Sequence, residues 1–218
     1  GLGRAVCVRE GKLDYSDVRY SGKDSERARL ASAIEVFDSR TAAMAERTRR
    51  ARAVGDSVRG VVSCRIRGVP AGIGSPMFDK LSSRLAAAIF SINAVKGFDI
   101  GDGFAMSRVR GSEVVDEWEP AIGDARGMRT KTNHSGGIQG GISNGEDITF
   151  RVAFKPTPTL SRPLLTVDRD RRPVIFKGLG RHDPCVVPRA VPVVATLTAF
   201  VIADALLEAR GYNPAIGI

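Results

Sequence analysis

Between Asn133 and Ile148 the chain reads NHSGGIQGGISNGEDI, with five glycines in ten residues: Gly136, Gly137, Gly140, Gly141 and Gly145. Glycine gives up more conformational freedom on folding than any other residue, so such density marks a backbone that turns sharply or lies close to something. No hydrophobic period of either kind runs through residues 133–147, which reads as loop. Bare N–H groups and small amides of this kind suit a planar or anionic ligand. A flexible surface loop is the plain alternative. Downstream lie FKPTPT, Phe154 to Thr159, and GRHDPCVVPRAVP, Gly180 to Pro192. They contain the charged and hydroxyl side chains of Lys155, Thr157, Arg181, Asp183 and Arg189, types able to do polar chemistry. Each has a bland rival. Lys155 could simply end a strand on its wet face. Asp183 precedes a proline and could merely form a turn. His182 is of the right type for acid–base work, and nothing nearby activates Cys185 as a nucleophile.

Alternating helices and strands must position these groups. Asp38 or Ser39 can cap a helix running to about Val54, with Gly55 as its stop. Val62, Cys64 and Ile66 alternate with Ser63, Arg65 and Arg67, a strand with one wet face. Asp79 can cap a second helix with Leu81, Leu85, Ala88, Ile89 and Ile92 on one side. Phe104 to Arg110 reads as a strand. Ile148, Phe150, Val152 and Phe154 alternate with Thr149, Arg151, Ala153 and Lys155, the cleanest strand pattern in the chain. Asp168 to Arg172 reads as a turn between two short strands. A strongly apolar helix runs from about Pro188 to Arg210, with Pro192 near its first turn and Gly211 past its end. Val194, Leu197, Val201, Ile202, Ala205 and Leu206 leave it little polar face, so burial between layers is expected. Mixed helices and antiparallel-looking strands predict an α+β fold.

Composition bounds the rest. A length of 218 residues, 43% hydrophobic and 26% charged, suits a globular body of one large or two small domains. No apolar run reads as long enough to span a bilayer. Cys7, Cys64 and Cys185 are odd in number and lack metal-ligand spacing, so reduced thiols are expected and no metal site. The net charge of +9 calls for an anionic partner. Nucleic acid is the usual first guess, but the 6% of aromatics do not interleave with the basic runs at Arg47 to Arg52 and Arg169 to Arg172.

The glycine run, FKPTPT, GRHDPCVVPRAVP and SINAVKGFDIGDGF (Ser91 to Phe104) together resemble the chorismate synthase family, and GDSVRGVV (Gly55 to Val62) and GIGSPMFDKL (Gly72 to Leu81) fit the same pattern. The resemblance covers Gly55 to Tyr212. It leaves residues 1–40 unplaced and marks 41–218 as the C-terminal portion of such a domain. The family's Gly-Glu-Ser-His-Gly motif and its two catalytic histidines have no counterpart in this chain, whose histidines are His134 and His182. The expectation is a piece of a longer enzyme, inactive alone. His182 is read as structural and His134 is unassigned.

The resemblance implies a layered sandwich with helices between antiparallel sheets, here incomplete, and a cytoplasmic homotetramer when complete. It implies conversion of 5-enolpyruvylshikimate 3-phosphate to chorismate by a 1,4-anti elimination of phosphate that requires reduced FMN. It places flavin contacts at Asn93, Ala94, Gly140, Lys155, Pro156, Thr157, Pro158, Thr159 and Arg181. Gly140 would lie where a side chain would strike the cofactor. Arg181 would also touch the substrate, and Asp183 would help remove the C6 proton near flavin N5. Some members reduce their own flavin with NADPH, which the sequence leaves open. A flavin-binding remnant without lyase activity and, more remotely, a basic nucleic-acid-binding protein are the alternatives.

Overall fold

Period-two burial and one long apolar helix organise the molecule. The computed structural model describes residues 4–10, 39–124, 126–178, 180 and 182–213. In chain order the elements are β1 (Arg4–Glu10), α1 (Ser39–Ala53), β2 (Gly60–Arg67), α2 (Leu81–Phe90), β3 (Val95–Ile100), β4 (Trp118–Pro120), β5 (Met128–Thr130), β6 (Ile138–Gln139), β7 (Ile142–Ser143), β8 (Ile148–Phe154), β9 (Pro163–Val167), β10 (Pro173–Lys177) and α3 (Val187–Tyr212).

The main sheet has four antiparallel strands in the order β1-β2-β8-β3. Along β8, Ile148, Phe150, Val152 and Phe154 are buried and the residues between them are not. Val62, Cys64 and Ile66 of β2 point the same way. Against this face pack Leu81, Leu85 and Ile89 of α2 and Val187, Ala190, Val194, Thr198, Ile202, Ala205 and Leu206 of α3. Burying an aliphatic or aromatic side chain of this size stabilises by about 1.5–3 kcal/mol, so the layer contact is the main source of stability. The opposite face is polar, with Arg151 clamped bidentately on Asp99 at 3.0 and 2.6 Å and Arg65 on Asp147 at 2.9 Å. The α+β architecture expected from the sequence is present.

Several local expectations change. Phe104 to Arg110 does not form a strand: Gly103–Arg108 is a 3-10 turn. Gly101 and Gly103 both have positive φ, 57° and 53°, which ends β3 and coils the chain. The glycine run is not wholly loop, since it contains the β6–β7 hairpin, and Gly136, Gly137, Ile138 and Gly141 are buried. Asp79 does not cap α2. The cap position is Lys80, without a side-chain hydrogen bond, while the Asp79 N–H closes a three-residue turn on Met77 O at 2.8 Å about Phe78, whose φ is 64°.

α3 begins at Val187 and runs through Gly211 to Tyr212; Pro192 lies inside it, and the Thr196 hydroxyl donates to the Pro192 carbonyl at 2.8 Å. Only one face of α3 is covered, for Val193, Phe200 and Leu207 are exposed. By length and composition α3 could cross a membrane, contrary to the sequence reading. Val187, Ala190, Val194, Ile202, Ala205 and Leu206 lie in the same core cluster as α2 and the sheet, the packing of a core helix.

Candidate functional site

The predicted residues fall at two ends of the molecule. At one end the turn after α2 meets the strand end of β8. β3 pairs antiparallel with β8 through Val95 and Phe154, so Ala94 falls beside Lys155, whose N–H donates to the Ala94 carbonyl at 2.9 Å. Ala94 holds a left-handed φ of 72°, a conformation that a residue with a Cβ adopts only when its surroundings impose it. That turn leaves Asn93 exposed. Lys155 is exposed too and makes no ion pair among the described residues.

The stretch after Lys155 leads to Asp183. The Ser57 hydroxyl donates to the Thr157 carbonyl at 2.7 Å, and the Thr157 hydroxyl donates to the Asp183 carbonyl at 3.1 Å. The Val58 N–H donates to the Pro184 carbonyl at 2.7 Å and the Ser161 N–H to the Gly55 carbonyl at 3.0 Å. Three segments distant in sequence thus close around one small cleft. It holds about 260 Å³ of empty space, its open mouth included, among Arg52, Ser57, Thr159, Ser161, His182 and Asp183. The Asp183 carboxylate pairs with Arg189 at 2.6 Å and is largely shielded, while the Arg189 side chain is exposed.

This donor set fits a polar, phosphate-bearing cofactor. It offers hydroxyls from Ser57, Thr159 and Ser161 and a guanidinium from Arg52. The buried Nε2 of His182 has no hydrogen-bond partner among the described residues, an unsatisfied group of the kind a ligand or water repairs. Arg181 lies outside the described residues. Sequence reasoning missed Ser57 and Arg52 as site residues. The GDSVRGVV motif marked the segment, but the contact to Thr157 spans 100 residues and has no local signature.

Gly140 lies at the other end. With Gly141 it forms the two-residue turn of the β6–β7 hairpin, both at positive φ. The Gly141 carbonyl accepts from Leu81 N–H at 2.8 Å, so the hairpin tip abuts the start of α2, whereas Ala94 follows its end. Ten helical residues separate the two by about 15 Å. Within one chain Gly140 is therefore not brought to the Lys155 cluster. A Cβ on Gly140 would meet nothing within 4 Å, an open surface.

Around that end the backbone is tied down by acids. Asp116 is buried and accepts from the Thr132 hydroxyl at 2.7 Å and from the His134 and Ser135 N–H groups at 2.7 and 2.8 Å. Burial pushes its pKa up, but these hydrogen bonds more than offset that and hold the carboxyl below its usual value. His134 Nδ1 lies 2.5 Å from the Asp102 carboxylate. Arg126 bridges Asp124 and Glu146 at 2.8 and 2.9 Å, and its guanidinium holds Asp124 down to about 2. Among the described residues, no three His, Cys, Asp or Glu side chains gather as a metal would need.

Comparison with known proteins gives one consistent result. The sequence model of the family described as chorismate synthase matches residues 8–207. The chain is 55% identical over 163 residues to a chorismate synthase of Opitutus terrae, covering 75% of this chain and 44% of that one. It is 53% identical over 155 residues to that of Porphyromonas gingivalis, covering 71% and 42%. A crystal structure of chorismate synthase superposes with a TM-score of 0.69 at 27% identity, covering 96% of this chain and 58% of that one. The chain spans less than half the length of these curated relatives.

Proposed function

Since the chain belongs to the chorismate synthase family, we propose that the complete polypeptide converts 5-enolpyruvylshikimate 3-phosphate to chorismate and phosphate, using reduced FMN. The observation that carries this reading is the convergence of Ala94, Lys155, Thr157 and Asp183 on one end of the sheet, through contacts at 2.9 and 3.1 Å. When bound, reduced flavin supplies the electron density for a 1,4-anti elimination in which the C–O bond to phosphate breaks and the C6 proton leaves. The chain's own residues bind and orient. The Ala94 turn presents Asn93 to the cofactor. Lys155 supplies a fixed cation and Thr159 a hydroxyl for its anionic part. Thr157 fixes the backbone of Asp183, and Asp183, paired with Arg189, accepts the proton. Arg181 is assigned to flavin and substrate. Gly140, which lies apart from this cleft within one chain, is assigned to the flavin of a neighbouring copy in the assembly, its open turn leaving room for close approach. Residues 41–218 form the C-terminal portion of the domain, and the complete enzyme is a cytoplasmic homotetramer.

The test is an anaerobic assay of the full-length polypeptide with photoreduced FMN and the phosphate substrate, followed by chorismate absorbance. Formation of chorismate, with tight flavin binding that weakens in Lys155→Ala, is the expected result. Flavin affinity unaffected by Lys155→Ala would remove the cofactor from this cleft.

A further inference from the structure

Two carboxylates line the cleft, Asp56 and Asp183, and they are held differently. Asp56 has both oxygens engaged: Oδ1 accepts from the Ser57 N–H at 2.8 Å, and Oδ2 pairs with Arg162 at 3.2 Å. Asp183 is engaged at one. Its Oδ2 pairs with Nη1 of Arg189 at 2.6 Å, while Oδ1 has no ion-pair or hydrogen-bond partner among the described residues. An ionised carboxylate has only acceptor sites, so Asp183 is the one of the two with an oxygen left to take a proton.

The backbone around Asp183 is fixed from two sides. The Thr157 hydroxyl donates to the Asp183 carbonyl at 3.1 Å, and the Val58 N–H donates to the Pro184 carbonyl at 2.7 Å. These bonds place the Cα but leave the carboxylate free to turn, because the last torsion of an aspartate is broad and roughly twofold. The Arg189 contact is what stops that rotation. Arg189 stands in the first turn of α3, which is itself rigid. Pro188 sets the local φ, Val187 and Ala190 are buried in the core, and the Arg189 and Ala190 N–H groups both donate to the Val186 carbonyl at 3.1 Å. A cation rooted in a packed helix thus grips a carboxylate on an irregular stretch of chain.

We propose that Arg189 is a positioning residue for proton removal: it holds Asp183 by Oδ2 and so aims Oδ1 at the C6 proton. The inference rests on the reading of Asp183 as the proton acceptor. In that step the C6–H bond breaks and the proton passes to Oδ1. The C6–H electron pair enters the ring's double bonds as the C–O pair departs with phosphate, so no outside oxidant is consumed. The Arg189 side chain is 70% exposed against 28% for Asp183. A pair so open to solvent contributes little to folding stability, and its effect falls on the direction of the carboxylate instead. Small misplacements of a reacting group cost up to about a hundredfold in rate. The contact uses a single guanidinium nitrogen, so an ammonium can take its place.

The experiment uses the full-length polypeptide with photoreduced FMN and the phosphate substrate, and compares Arg189→Gln, Asp183→Asn and the double variant. Arg189→Gln is expected to lower kcat by about tenfold to a hundredfold, with melting temperature, KM and FMN affinity close to wild type. In the Asp183→Asn background the same substitution should lower kcat no further, because Arg189 acts only through that carboxylate. Arg189→Lys should recover most of the loss. Normal kcat in Arg189→Gln beside a slow Asp183→Asn would overturn the positioning role and leave the acceptor in place. Losses that multiply in the double variant would overturn it too, since Arg189 would then act elsewhere. So would a raised KM at unchanged kcat, the mark of direct substrate binding. Should Arg189→Gln fail to fold, Arg189→Met keeps the stem on the helix and runs the same cycle. Normal kcat in Asp183→Asn would sink the acceptor reading itself, and the inference with it.

Discussion

Gly140 and Gly141 are neighbours in one turn, yet a side chain on each should fail for different reasons. Both hold left-handed φ, 60° and 89°. An L-residue there costs about 1–2 kcal/mol at either position. At Gly140 that is the whole cost, because a Cβ would meet no atom within 4 Å. At Gly141 a Cβ would lie 2.6 Å from the Ser75 carbonyl oxygen and 2.5 Å from Lys80 Cγ. Relieving such overlap in packed structure costs a further 1–3 kcal/mol or so. Gly140→Ala should therefore lower the melting temperature by about 2–8 °C, on a scale of ~2–4 °C per kcal/mol for a chain of this size. Gly141→Ala should cost about 1–3 kcal/mol more. In the full-length protein the order reverses for flavin, with Gly140→Val losing affinity and Gly141→Ala losing stability. Urea unfolding and FMN titration measure the two effects. Equal destabilisation by the two alanines would refute the steric argument, and normal flavin affinity in Gly140→Val would show that the open face of the turn does not meet the cofactor.

Four further outcomes are expected. In the full-length enzyme, Asp183→Asn should retain flavin and substrate while turnover falls by on the order of a hundredfold to ten-thousandfold, with greater sensitivity to deuterium at C6; normal turnover would leave Asp183 a turn residue. Thr157→Val removes the hydroxyl bonded to the Asp183 carbonyl at 3.1 Å, and should cost about 0.5–1.5 kcal/mol of stability in denaturant melts and weaken FMN binding; an affinity equal to wild type would detach Thr157 from the site. Asp116 has a folded pKa below its ordinary value of 3.8, so its stabilising effect is full above that pH and is lost as pH falls through the folded value. The stability gap between wild type and Asp116→Asn should narrow accordingly in acid melts, and a gap independent of pH would contradict the linkage. Residues 1–218 assayed alone should make no chorismate, because His134 and His182 do not replace the family's histidine motif; rates like those of a complete enzyme would sink that expectation.

Patterns carried by neighbouring residues were legible in the sequence. The alternation of Ile148, Phe150, Val152 and Phe154 announced the central strand, and residues 188–210 announced the long helix. What failed depended on distant partners or on backbone state. Phe104 and Val109 have strand propensity, but Gly101 packs so tightly on His134 and Gly136 that the chain must coil there. Asp79 looked like a cap, but after the left-handed turn at Phe78 it falls one residue before the cap position, which Lys80 holds. Motif residues at 93–94 and 155–159 were visible one by one, whereas the left-handed Ala94 that joins them was not. Nor could one sequence reveal that Gly140 and Ala94 occupy opposite ends of α2.

The sheet order has a consequence for how the chain is made. β8 is the strand that joins β2 to β3, yet it pairs with β2 residues about 90 positions earlier, a topology of high contact order and slow closure. At ~5–20 residues per second of synthesis, β2 emerges several seconds to some twenty seconds before its partner exists. During that interval Val62, Cys64 and Ile66 sit on a strand with an unpaired edge towards the missing β8. The newborn chain is most exposed to misassembly in that window, so mutations that slow synthesis between residues 67 and 148 should reduce soluble yield even when the finished fold is unchanged.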